Sequence, residues 1–187
     1  MRVILASKSP RRKELLGEII KDFEIITKEV DETLPKGIHP KAGVGILALR
    51  KGRAVADELD DEALVISSDT LVELGGIPLG KPKDENEAFY MLSALSGKPH
   101  NVHTGVAVHY RGKSFSGVAT TAVYFREMTE SEIKEYISTG DPMDKAGSYG
   151  IQSGGGKFVE KIEGDYDTVV GLSVALTKKL IKEALND

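Results

Sequence analysis

The sequence has 187 residues, of which 40% are hydrophobic and 29% are charged, and its formal net charge is −4. This ordinary globular mixture excludes disordered and fibrous proteins, and the length suits one substantial domain or two small lobes. The acidic balance argues against a protein that coats nucleic acid. Because the sequence contains no cysteine, disulfides, thiolate zinc sites and a cysteine nucleophile are excluded as well.

Targeting and linker signals are not found in the sequence. The longest apolar stretches are only a few residues long, so we expect neither a membrane span nor a signal peptide, and a cytoplasmic location follows by default. No internal repeat and no long linker divides the chain. We therefore predict one continuous domain over residues 1–187.

The chain is predicted to open with a strand, a loop and a helix. The apolar run from Val3 to Ala6 is typical of a buried strand, and Ser9-Pro10 marks a helix start. Helical spacing of leucine and isoleucine continues past Gly17. A second strand is expected from Phe23 to Ile26, ahead of an acidic patch at residues 29–32.

A long helix is predicted from about Pro40 to Leu59. Its apolar stripe contains one exception, Lys51, at a position where the pattern requires an apolar residue. Such a lysine either snorkels from the edge of the buried face or points its ammonium into a polar cavity. The pattern alone favours snorkelling, because long lysine stems often line apolar surface.

A second buried strand is predicted from Ala63 to Ile66, ending in Ser67-Ser68-Asp69-Thr70. This places Asp69 at the carboxyl end of a strand, where open α/β sheets bind ligands. The carboxylate could hold a metal or act as a general base, or it could be a turn aspartate bonded to its own backbone.

The remainder of the chain alternates strand and helix signals. Two hairpins are expected, one at Gly75-Gly76 and one joining residues 102–110 to 115–125 through Arg111-Gly112-Lys113. Capping boxes predict helices that begin near Asp84 and Thr129. Residues 146–157 are glycine-dense and indicate a loop, short strands are expected at 158–162 and 168–170, and Ser173 caps a last helix. The predicted fold class is mixed α/β.

A phosphate site is predicted at residues 7–13, where four cations and two serines converge on a helix start. A helix N-terminus offers unpaired N–H groups, and an arginine guanidinium can form bidentate hydrogen bonds with two phosphate oxygens. A solvated basic turn is the alternative. The acidic patch with Glu29, Asp31 and Glu32 is likewise either a magnesium site or a solvated turn.

Other chemistries have weaker support. Neither a dinucleotide fingerprint, nor a P-loop, nor a nucleophile elbow is found, and the glycines 154–156 leave open a flexible lid. His100 and His103 are three residues apart, which in a strand sends the two side chains to opposite faces. Histidine catalysis is therefore disfavoured.

Six motifs together resemble the Maf family of nucleoside triphosphate pyrophosphatases along nearly the whole chain. They are residues 5–16 (LASKSPRRKELL), 29–32 (EVDE), 68–70 (SDT), 79–82 (LGKP), 95–97 (LSG) leading to Thr104-Gly105, and 144–152 (DKAGSYGIQ). A single motif of this kind would be weak. Six in the family's order make chance similarity unlikely.

The resemblance implies hydrolysis of a nucleoside triphosphate to the monophosphate and pyrophosphate, with Mg²⁺ or Mn²⁺ as cofactor. It implies an elongated mixed-sheet fold like that of inosine triphosphate pyrophosphatases, made of two lobes that do not fold independently. It also implies a site in the cleft and a homodimer. Asp69 is expected to be the general base and, with Glu32, a metal ligand. The phosphates are expected to be held by Ser7, Ser9, Arg12, Lys51 and Lys81, the two lysines also being catalytic.

Base selection in the family tracks three positions, which here are Arg11, Thr70 and Gln152. The combination is similar to the branch that acts on dTTP and UTP, which implies a house-cleaning role on pyrimidine nucleotides. A glutamine amide can donate to one polar group of the base and accept from another. Two alternatives stay open, a nucleotide-binding regulator of septum formation with little turnover and a nucleotidyltransferase.

Overall fold

The computed structural model describes residues 1–186, which form a mixed sheet with helices. The seven strands are β1 (Arg2–Leu5), β2 (Glu24–Ile25), β3 (Ala63–Leu74), β4 (Ile77–Leu79), β5 (Pro99–Tyr110), β6 (Lys113–Phe125) and β7 (Val159–Glu163). Their order in the sheet is β2-β1-β3-β5-β6-β7, and β4 pairs with β3. The predicted mixed α/β class is confirmed.

Six α-helices accompany the sheet. They are α1 (Pro10–Gly17), α2 (Pro40–Ala56), α3 (Glu85–Leu95), α4 (Glu130–Ser138), α5 (Tyr166–Val170) and α6 (Val174–Asn186). Short 3-10 helices cover Asp141–Asp144, Ala146–Ser148 and Gly154–Phe158. Within residues 1–186, no helix is both long enough and apolar enough to cross a membrane.

The chain divides into two compact units. The first comprises residues 1–70, 104–119 and 171 onward, and the second comprises residues 71–103 and 120–170. Each unit is thus assembled from separate stretches of the chain. That neither lobe folds alone stays a prediction.

In the first unit, β1 runs parallel to both β2 and β3. Arg2 to Leu5 pair with Ala63 to Ile66, and apolar side chains of both strands, Ile4 and Val65, pack with Val55 of α2. Helix α2 lies very close to β5, because a Cβ added at Gly105 would lie 2.5 Å from the carbonyl oxygen of Val44. This close approach fixes the height of α2, and therefore of Lys51, above the sheet.

Strand β3 is longer than predicted and contains the polar residues that were expected to follow it. The sequence predicts an end at Ile66, but the strand continues to Leu74, so Asp69 lies within it and the predicted strand end is wrong. A buried strand tolerates these serines because both hydroxyls are hydrogen-bonded. Ser67 Oγ donates to the carbonyl oxygen of Ala48 at 2.7 Å, and Ser68 Oγ donates to the carbonyl oxygen of Gly171 at 2.9 Å. Pairing with β1 ends at Ile66, so Asp69 nevertheless lies beyond the carboxyl end of β1.

Turn and capping signals are confirmed in most places. Gly75 and Gly76 have φ of +58° and +84° in the β3–β4 hairpin, and Arg111-Gly112 forms the two-residue turn between β5 and β6. Thr129 and Glu132 form the complete capping box of α4. The strand predicted at 168–170 is wrong, because those residues lie in α5; a short apolar run does not distinguish the two structures.

His100 and His103 are buried polar residues of the second unit. His103 bonds Thr120 Oγ1 at 2.8 Å and Glu73 Oε2 at 2.6 Å, whereas His100 bonds the Tyr149 hydroxyl at 2.8 Å. Burial lowers the pKa of His100 to about 4. Hydrogen bonds to neighbouring side chains occupy both ring nitrogens of His103 and Nε2 of His100.

The close approach of α2 and β5 predicts an intolerance to any side chain at Gly105. Gly105→Ala would place its methyl group against backbone atoms of Val44, and we expect a loss of about 1 to 3 kcal/mol in the free energy of unfolding. The matched control is Gly17→Ala at the end of α1, where a Cβ meets nothing within 4 Å. Urea denaturation of both variants checks this, and equal midpoints would contradict it.

Candidate active site

The turn between β1 and α1 forms the first part of the site. Pro10 is the first helical residue and Ser9 is the N-cap, but the Ser9 side chain makes no capping hydrogen bond. The Ser9 backbone N–H instead donates to Ser7 Oγ at 3.3 Å. The Ser9 hydroxyl therefore stays available to an anion at the start of α1.

Arg12 connects three parts of the first unit through one guanidinium. Its Nε donates to the carbonyl oxygen of Gly171 at 2.8 Å, Nη1 to Ser7 Oγ at 3.3 Å and Nη2 to Thr70 Oγ1 at 3.2 Å. Burial lowers the pKa of Arg12, and the negative charge of Asp69 partly opposes that shift. A guanidinium that is removed from water interacts more strongly with an anion than an exposed one does.

The carbonyl oxygen of Gly171 is an acceptor shared by three side chains. Besides Arg12 it accepts from Ser68 Oγ at 2.9 Å and from Thr70 Oγ1 at 3.4 Å. Gly171 has φ of +134°, a conformation that side chains disfavour. The sequence analysis missed this residue, since an isolated glycine before a helix gives no sign that its carbonyl is a hub.

Lys51 lies between two carboxylates. Its Nζ is 2.5 Å from Asp69 Oδ1 and 2.8 Å from Glu32 Oε1. The side chains of Lys51 and Asp69 are 21% and 12% exposed, whereas that of Glu32 is 61% exposed. Of the two interpretations of this lysine, the structure agrees with an ammonium directed at polar groups rather than one that snorkels into solvent.

Arg50, the residue before Lys51, holds the acidic patch in place. Its Nη1 donates to the carbonyl oxygens of Asp31 at 3.1 Å and Thr33 at 2.7 Å, on either side of Glu32. Asp31 Oδ1 accepts from the Thr33 N–H at 2.8 Å, and hydrogen bonds from Thr33 lower the pKa of Asp31. Sequence reasoning missed Arg50, because an arginine on an exposed helix face carries no distinguishing signal.

Glu32 and Asp69 are suited to a hard divalent cation that a ligand helps to coordinate. Both carboxylates reach the same ammonium, so they are close neighbours. No group of three or more His, Asp or Glu residues able to hold a metal exists among residues 1–186. Mg²⁺ commonly takes one or two carboxylates and completes its shell with water and phosphate oxygens, which fits this pair.

The predicted site residues divide between the two units. The first unit brings together a set that we call the Lys51 cluster: Ser7, Arg12, Glu32, Lys51, Asp69 and Thr70. Arg11 is half-buried on α1 next to it, and Thr70 Oγ1 is 3.0 Å from Thr104 Oγ1. Lys81 and Gln152 are exposed residues of the second unit, and their distance from the cluster stays a prediction.

The fold and the cluster define a mixed α/β protein equipped with hydroxyls, cations and paired carboxylates for an anionic, metal-binding ligand. The fold is similar to that of the Ham1 protein of Staphylococcus aureus, with a TM-score of 0.50 and 17% identity. That likeness covers 67% of this chain and 72% of the Ham1 chain, and it concerns the fold alone.

The chain belongs to the Maf family, because the profile of Maf-like proteins matches residues 2–184. It is 48% identical to the dTTP/UTP pyrophosphatase of Thermococcus kodakarensis, over 95% of this chain and 94% of that protein. It is 51% identical to the dTTP/UTP pyrophosphatase of Clostridium novyi, over 92% of each. The family resemblance carried by the six motifs is confirmed.

The contribution of the Arg50 hydrogen bonds to the local stability of the acidic patch can be tested without an activity assay. Arg50→Met removes both hydrogen bonds made by Nη1. We expect amide hydrogen exchange at residues 31–33 to accelerate about fivefold, which corresponds to about 1 kcal/mol of local stability. Arg53→Met is the control, since Arg53 lies on the same helix but pairs with Asp57. Unchanged exchange in Arg50→Met would show that the patch is held by other contacts.

Proposed function

We propose that this protein hydrolyses dTTP and UTP between the α and β phosphates, releasing the nucleoside monophosphate and pyrophosphate. The observation that carries the proposal is the Lys51 cluster, in which cations, hydroxyls and two carboxylates occupy one part of the first unit. Membership of the Maf family and relatives named dTTP/UTP pyrophosphatase support the choice of substrate. Removal of unwanted pyrimidine triphosphates, a house-cleaning role, is the corresponding cellular task.

The phosphate tail is bound by the start of α1 and by Arg12. Ser7, Ser9 and the first helical N–H groups donate to phosphate oxygens, and the Arg12 guanidinium adds a charge fixed by its bond to Gly171. A triphosphate carries close to four negative charges that repel an incoming nucleophile. Neutralising them is therefore the first task of the site, and Lys51 and Lys81 contribute to it.

Asp69 is the base that accepts a proton from the attacking water. It is bound to Lys51 through Oδ1, which fixes the carboxylate while Oδ2 can accept a hydrogen bond from water. The strand position of Asp69, between the hydroxyl-anchored Ser68 and Thr70, prevents the side chain from drifting. Lys51 also stabilises charge that accumulates on the phosphates.

A divalent cation, Mg²⁺ or Mn²⁺, is held by Glu32 and Asp69 in this proposal. When bound, it supplies positive charge that polarises the phosphates and favours attack. The Lys51 ammonium, which already joins the two carboxylates, reduces the repulsion between them and keeps them convergent. Arg50 limits the movement of Glu32 through the carbonyl groups beside it.

Base recognition is assigned to Arg11, Thr70 and Gln152. Thymine and uracil present carbonyl acceptors beside an N–H, which suits a glutamine amide that both donates and accepts. The protein is further proposed to act as a homodimer, with both units of the chain forming one functional domain. A nucleotide-binding regulator of septum formation and a nucleotidyltransferase are the competing functions, and no specific contact favours either.

Replacing the proposed base tests the hydrolytic function directly. Asp69→Asn keeps the shape of the side chain but removes its capacity to take a proton, and we expect pyrophosphate release from dTTP with Mg²⁺ to fall at least about 100-fold. Asp57→Asn, at the end of α2, is the matched control and retains wild-type turnover.

Product analysis separates the competing functions. Monophosphate formed in the absence of any acceptor identifies water as the nucleophile and excludes a transferase. Equal rates for Asp69→Asn and wild type would remove Asp69 as the base, and binding without release from any triphosphate would support the regulator.

The role of Gln152 is tested by changing its donor into a negative charge. Gln152→Glu leaves a base carbonyl unpaired, and we expect a loss of about 1 to 3 kcal/mol in transition-state binding of dTTP, or about 5- to 150-fold in kcat/KM. The measurement compares kcat/KM of the variant and the wild type for a panel of normal and modified triphosphates. If the order of preference among them is unchanged, another residue recognises the base.

A further inference from the structure

We propose that Tyr136, Asp141 and Ser153 are positioning residues that hold Gln152 in one orientation for base recognition. The inference rests on the proposed function, because it concerns how the residue assigned to the base is held. All the contacts that support it lie within the second unit. The sequence leaves open a flexible lid in this glycine-dense stretch. The contacts instead hold the stretch in place as a support for Gln152.

Gln152 occupies the third position of a four-residue turn, residues 150–153, which we call the Gln152 turn. The turn is closed by the Ser153 N–H, which donates to the carbonyl oxygen of Gly150 at 3.3 Å. Gln152 itself is exposed. The backbone is therefore constrained at both ends while the amide of Gln152 is accessible to a ligand.

Two side-chain contacts attach the ends of the Gln152 turn to the rest of the second unit. At one end, the Gly150 N–H donates to the Tyr136 hydroxyl at 3.1 Å. At the other end, Ser153 Oγ donates to Asp141 Oδ2 at 2.6 Å. The Tyr136 hydroxyl in turn donates to the same Oδ2 at 2.5 Å, so one carboxylate oxygen links both ends.

Asp141 is itself firmly held, which makes it an effective anchor. Lys145 Nζ donates to Asp141 Oδ1 at 2.8 Å and to its backbone oxygen at 2.7 Å. Burial acts to raise the pKa of Asp141, but the hydrogen bonds from Lys145, Ser153 and Tyr136 outweigh it and lower the pKa. Tyr136 lies in α4 with its ring in the core, so the anchor is connected to a packed helix.

The glycines that follow the turn allow close packing rather than movement. An added Cβ at Gly154 would lie 2.8 Å from the Tyr136 ring, and one at Gly155 would lie 3.0 Å from its hydroxyl. One at Gly156 would lie 2.5 Å from the carbonyl oxygen of Ile151. Each glycine thus lets the 3-10 helix at 154–158 lie directly against the Gln152 turn or against Tyr136.

A fixed turn favours base recognition because the ordering cost is met during folding rather than on binding. Loosening it makes the nucleotide supply that cost, which weakens binding without changing the reacting groups. A mutation that acts this way raises KM and leaves kcat little changed. The effect of such a mutation on KM also depends on the presence of Gln152. A mutation that only destabilises the fold would change KM to the same extent with and without Gln152.

The test is a double-mutant cycle on the full chain, with UTP and Mg²⁺. Tyr136→Phe removes the hydroxyl and keeps the ring, and we expect it to raise KM for UTP about tenfold, the equivalent of about 1.4 kcal/mol. In a Gln152→Ala background the same substitution is expected to change KM less than about twofold. Ser153→Ala, an exposed change that removes one attachment, is expected to show the same dependence and serves if Tyr136→Phe folds poorly.

Tyr124→Phe is the matched control, since its hydroxyl donates to Glu163 on the surface of the same unit, and KM is expected to stay at the wild-type value. Equal increases in both backgrounds would overturn the positioning role. So would unchanged KM in Tyr136→Phe and Ser153→Ala when Gln152→Ala raises it, and the proposed function would then stand. If Gln152→Ala itself leaves KM unchanged, the assignment of Gln152 to the base fails, and the positioning role fails with it.

Discussion

The ion pairs of Lys51 are the interactions on which the proposed site depends. Without its ammonium, the buried carboxylate of Asp69 and the largely exposed carboxylate of Glu32 would repel each other with no cation between them. With it, they converge. Lys51 can play this part because it lies on α2, whose height above the sheet is fixed by the close approach at Gly105.

Much of the site follows from local sequence, and the reasons are physical. Ser9-Pro10 sets the start of α1 because proline at the first helical position loses no hydrogen bond, and the cations are thereby assigned to a helix N-terminus. Lys51 is detectable because it interrupts an apolar stripe. The family motifs then give those residues an expected role, and the geometry of the Lys51 cluster is compatible with it.

What the sequence could not supply are the partners that are distant along the chain. The sequence predicts too early an end for β3 because Ser67 and Ser68 resemble turn residues until their acceptors, the carbonyl oxygens of Ala48 and Gly171, are known. The same holds for Arg50, whose acceptors are backbone oxygens of another segment. Backbone carbonyls carry no residue-specific signal, so contacts to them are visible only in three dimensions.

The carboxylates of Asp69 and Asp141 differ in how far their hydrogen-bonding capacity is used. Asp141 accepts from Lys145, Tyr136 and Ser153, which leaves little capacity for a ligand and suits a structural anchor. Within residues 1–186, Asp69 is paired through Oδ1 with Lys51, and the Glu32 partner of that lysine is largely exposed. A carboxylate with an unused oxygen beside an exposed second carboxylate can take up a proton or a cation. This difference in saturation, rather than residue type, is the reason to place chemistry at Asp69 and support at Asp141.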